Sequence, residues 1–95
     1  MSNKYQVAHL REQGQNMVIV LMDSSFGRQT SSDQEAQMRS LQACSNSAGL
    51  AGTVVPVWLD GRNMGFIAPT PWHPFFKSLS WNAVVANVNK ELTCG

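Results

Sequence analysis

Ninety-five residues are enough for one domain with its own core and too few for two. Charged residues make up 14% of the chain, well under the roughly 25% of a typical soluble domain. Seven basic and six acidic residues leave a net charge of +1, which offers no electrostatic footprint to nucleic acid or an anionic membrane.

Residues 5–10 alternate weakly between apolar and polar, which predicts an edge strand, and the polar stretch 11–16 hairpins it to the next strand. His9 is then an ordinary strand residue. Residues 17–22, Met-Val-Ile-Val-Leu-Met, are apolar at every position, the pattern of a strand buried in the middle of a sheet. After a loop rich in serine and glycine, Ser32 and Glu35 form a capping box that opens a helix. Met38, Leu41, Cys44 and Ala48 place one apolar stripe along it, and Gly49 with Leu50 suits a left-handed cap at its end.

Residues 53–59 predict a second strand, and Asp60-Gly61 turns it into a third at residues 63–68. Pro56 has no N–H to give to a ladder, so the strand that carries it is expected outermost, with the third strand against the central one. The prolines at 69, 71 and 74 make a stiff connection. Ser80 then caps a final helix with Trp81, Val84, Val85, Val88 and Leu92 on one face. The expected fold is α/β (α+β): a two-layer sandwich in the order β-β-α-β-β-α, with a mixed sheet of three to four strands and two helices on one face.

Cys44 and Cys94 show no CxxC spacing. No apolar run nears the roughly 20 residues that span a bilayer, and residues 1–6 lack the order of a signal peptide. A cytoplasmic protein with two free thiols is therefore expected. With His9 and His73 scattered from them, no metal site and no cofactor are expected.

Two stretches are candidate sites. The loop 23–31 leaves a central strand and enters a helix, where ligands of open α/β sheets bind. There Asp23 is a candidate base, Ser24 and Ser25 candidate nucleophiles or donors, and Arg28 an anion clamp, with His73 brought alongside in a hydrolytic reading. Residues 28–34, Arg-Gln-Thr-Ser-Ser-Asp-Gln, resemble the segment that opens the catalytic domain of serine recombinases. Thr30 stands where that family has its nucleophilic serine, and the Asp-Gln pair equally suits a capped first helical turn. The second stretch is the aromatic cluster Trp72, His73, Phe75 and Phe76, which suits an anchor surface for a partner. Four bulky rings in five positions are expected to leave at least one exposed. The chain holds no phosphate loop and no metal-ligand spacing, so a non-catalytic interaction protein is expected, self-associating as a homodimer to cover an open strand edge and the aromatic surface.

Overall fold

Residues 3–94 are described by the computed structural model. Strands β1 (Asn3–Glu12) and β2 (Gln15–Met22) form an antiparallel hairpin. Its two-residue loop is Gln13-Gly14, with φ of 50° and 78°. Positive φ at both central positions marks a type I′ turn, whose twist matches that of the strands it joins. β2 is the central strand, as its composition predicts. Met17 and Ile19 are buried on one face of the sheet, and Val18, Val20 and Met22 on the other.

A 3-10 turn, Ser24–Arg28, leads into helix α1 (Ser31–Ser47). The cap is Thr30, whose Oγ1 accepts the Asp33 N–H at 3.1 Å, two residues before the expected Ser32. Thr30, Ser31 and Ser32 all carry the hydroxyl a cap needs, so local chemistry does not choose among them. The choice is tertiary, because the Gln34 side chain donates to the Phe26 carbonyl at 2.9 Å and ties the first helical turn to the 3-10 turn. At the other end Gly49 has φ of 79° and the Leu50 N–H bonds to Ser45 O at 2.9 Å, the left-handed cap expected there.

β3 (Thr53–Asp60) runs parallel to β2, and β4 (Asn63–Phe66) returns antiparallel across Gly61-Arg62. The sheet order is β4-β3-β2-β1-β5. The proline-bearing strand is thus inside and β4 is the edge, the reverse of the expected placement. Pro56 is tolerated because its peptide faces β4, just past the end of that strand. The Ile67 N–H reaches Pro56 O at 3.2 Å, and the return bond that an antiparallel pair would make is the one proline lacks. The β4 ladder stops there.

The last third of the chain departs most from expectation. Helix α2 (His73–Ser78) is followed by α3 (Trp81–Ala86), which Ser80 caps through the Ala83 N–H at 3.1 Å. α3 ends after six residues, and Leu92 belongs to a fifth strand, β5 (Lys90–Cys94), paired antiparallel to β1. Asn89 makes the switch. Its N–H bonds to Val7 O at 3.0 Å, its Oδ1 accepts the His9 N–H at 2.9 Å, and its Nδ2 donates to His9 O at 3.0 Å. A side chain here imitates one more ladder residue. β1 is therefore not an edge strand.

α1 covers one face of the sheet, where Phe26 and Leu41 pack on Val7, Val18, Val20, Met22, Val54 and Leu92. α2 and α3 cover the other, with Phe76 and Val84 on Ala8, Met17, Ile19, Val55 and Val57. The mixed α+β domain is thus one five-stranded sheet with helices on both faces, not two helices on one face. A central strand apolar on both sides requires that, since either face left to water forfeits about 1.5 to 3 kcal/mol per large side chain. β5 carries Cys94 to the α1 side, where it forms a disulfide with Cys44, Cα–Cα 5.9 Å. The two cysteines are not free thiols.

Candidate functional site

Asp23 follows β2 directly and caps the 3-10 turn. Its Oδ2 accepts the Ser25 hydroxyl at 2.6 Å and the Ser25 N–H at 3.4 Å. The hydroxyl bond above all, then that N–H, holds the Asp23 carboxyl below the ordinary carboxylate range, with Arg28 adding a smaller charge effect. A carboxylate so stabilised is a weaker base, so the pair suits a cap better than the activation of a nucleophile. Phe26, in the same turn, is buried in the α1-side core. At the start of α1 the Asp33 N–H is already taken by Thr30, and the Asp33 carboxylate occupies the first turn. That end of the helix is served by an acid of its own and attracts a second anion weakly.

His73 lies elsewhere. Its ring meets Phe66 edge-on at 5.3 Å, within the helical layer over the opposite face. Its Nε2 sits 2.9 Å from Ala68 O, and a carbonyl only accepts, so Nε2 carries a proton and donates it there. His73 makes no hydrogen bond to Ser24 or Ser25. Asp23, Ser24, Ser25 and Arg28 are all exposed neighbours in one turn, but the histidine does not join them.

The aromatic stretch does converge. Phe76 is 1% exposed and fills the core beneath the segment. It stacks on Phe66 at 5.4 Å and meets the Phe75 ring edge-on at 5.1 Å. Trp72, His73 and Phe75 are half-buried, so none of the four rings is exposed. The reason is the short 3-10 turn Thr70–Trp72 and α2, which fold the segment back along the sheet instead of out from it. Between this segment and the β1–β2 turn lies a pocket of about 250 Å³. Met17, Pro71, Trp72 and Phe75 form its apolar wall, and Glu12, Gln13 and Gln15 its polar rim.

Four of those lining residues belong to the hairpin, and none of the four stands out in the sequence as a site residue. They lie more than 50 positions from Trp72 along the chain, and only the packing of α2 under β2 brings the two stretches together. Among the described residues, no three of His, Cys, Asp and Glu lie close enough to hold a metal ion, and no helix is long and apolar enough to cross a membrane. No protein-family model, no curated protein and no solved structure matches this chain.

Proposed function

We propose that the protein is a non-catalytic interaction module and that the Trp72 pocket is where it holds a protein partner. The observation that supports this is the pocket's composition. Tryptophan and phenylalanine walls, half-shielded and backed by the buried Phe76, are the kind of surface that carries most of the energy at protein interfaces. At about 250 Å³ the space falls below the roughly 300 to 1,000 Å³ of small-molecule sites and suits one large side chain. Glu12 is the single charge on the rim, so the complementary occupant is an apolar side chain next to a lysine or arginine. Trp72 and Phe75 would touch it. His73, fixed by Ala68 O and Phe66, and Phe76 would hold them in place.

A direct test is a nuclear magnetic resonance titration with short capped peptides that carry one leucine or tryptophan between two lysines, and matched peptides with glutamates. The lysine series should shift the amides of Met17, Trp72 and Phe75, the glutamate series should bind more weakly, and Trp72→Ala should abolish the shifts. Shifts scattered over the surface, or identical for the two series, would refute the site.

Self-association is a second reading, supported by the open edges of β4 and β5. Among the described residues only Val85, at 46%, is a large apolar side chain classed as exposed. An edge-to-edge dimer held by backbone hydrogen bonds therefore fits better than a broad apolar interface. Mass measured across dilution tests it, and a strict monomer at high concentration removes it.

A further inference from the structure

A second cavity, of about 430 Å³, lies on the α1 face, between the β1–β5 ladder and the first half of the helix. Its size falls in the range of small-molecule sites. Asn3, Tyr5, Gln37 and Ser40 line it with amide and hydroxyl groups, and Asp33 is the only charged side chain among the lining residues. Cys94, half of the disulfide, also forms part of the wall, whereas its partner Cys44 does not. Through Cys94 the disulfide borders a cavity large enough for a small molecule, so a thiol held there approaches the bridge from the Cys94 side.

We propose that Cys94 is a modification site, at which a low-molecular-weight aminothiol enters this cavity and exchanges with the Cys44–Cys94 disulfide. The thiol loses its proton to solvent, and the thiolate sulfur bonds to Cys94 Sγ. The bond from Cys94 to Cys44 breaks, and Cys44 leaves with the electron pair as a thiolate. The product is a mixed disulfide on Cys94, with no net change in oxidation state. An aminothiol is favoured because Asp33, at the helix end of the same cavity, draws a cationic thiol in as it approaches and disfavours an anionic one. Cys44, freed on α1, no longer ties β5 to the helix, so the modification would loosen the strand that guards the β1 edge.

The test exposes the folded, oxidised protein at low ionic strength, where surface charge is least screened, to cysteamine or to mercaptoethanesulfonate at equal thiolate concentration. The reaction is stopped with acid and the mixed disulfide is located by peptide mass mapping. The adduct should sit on Cys94 with Cys44 recovered as a thiol, and cysteamine should react several-fold faster. Asp33→Asn should remove most of that preference. Ser40→Trp, which fills the cavity from an exposed helical position, should slow both thiols while circular dichroism stays unchanged. An adduct mainly on Cys44, equal rates for the two thiols, or exchange seen only after unfolding would each overturn the proposal.

Discussion

Trp58 stands directly opposite Gly65 in the β3–β4 ladder, and its indole fills the space that a side chain at Gly65 would occupy. The same indole closes off Gly27 in the 3-10 turn, and its ring packs against Phe26 at 5.3 Å. One tryptophan thus locks the edge hairpin to the turn that leaves the central strand.

Gly65→Ala should therefore destabilise the protein by about 1 to 3 kcal/mol, the usual range for overpacking, as read from the urea midpoint. In a Trp58→Leu background the same change should cost much less, because the obstacle has gone. Equal costs in both backgrounds would mean that the indole is not the cause.

Gln13 holds φ of 50° in the β1–β2 turn, a conformation that a side chain with a Cβ adopts at a cost of roughly 1 to 2 kcal/mol. Asparagine is the preferred residue before glycine in such turns. Gln13→Asn should raise stability by about 0.5 to 1 kcal/mol, and an unchanged or lower melting temperature would argue against this turn type.

The Cys44–Cys94 bridge spans 50 residues, which in the chain-entropy picture corresponds to about 4 kcal/mol. Reductant should lower the melting temperature, and the double variant Cys44→Ala, Cys94→Ala should match the reduced protein. Hydrogen exchange should then quicken first in β5, whose other anchors are the β1 ladder and Leu92. A melting temperature insensitive to reductant would count against the bridge.

For Asp23 the folded carboxyl titrates below the ordinary value of 3.8. Its contribution to stability is thus fully present above that value and is lost as the pH falls through the lower, folded one. Ser25→Ala removes the largest cause of the shift and should move the Asp23 titration, followed by carboxyl carbon resonance, back toward the ordinary value. A titration that does not move would mean that the Ser25 hydroxyl is not what stabilises the carboxylate.

Much of the fold was legible in local pattern. Residues 17–22 read as a buried strand because no position in them tolerates water. The β3–β4 hairpin, whose loop is Gly61-Arg62, one residue beyond the expected Asp60-Gly61, and the cap at Gly49 follow from conformations that glycine adopts freely, with φ of 61° and 79° at Gly61 and Gly49. The need for cover on both faces was present in the same six residues, although the two-layer expectation ignored it. The candidate site was half legible: the aromatic residues stand out in sequence, while Glu12, Gln13, Gln15 and Met17 become lining residues only through the fold.

The sequence alone therefore determined what depends on neighbours along the chain: the central strand, the start and end of α1 to within a turn, and the tight turns. Tertiary structure decided whatever depends on a distant partner. Val84, Val85, Val88 and Leu92 fit a helical stripe equally well, yet the backbone groups of Val7 and His9 claim Asn89 from 80 or more residues away, and the chain becomes a strand. Pro56 reads as an edge residue until its bare side is seen to face the end of β4, where no donor is required of it. Cys44 and Cys94 read as separate thiols until β5 brings them together. For Asn89 the deciding term is a set of three long-range hydrogen bonds, for the cysteines a covalent bond, and for Pro56 the neighbour that its bare side faces; none of these is written in local preferences of about 1 kcal/mol.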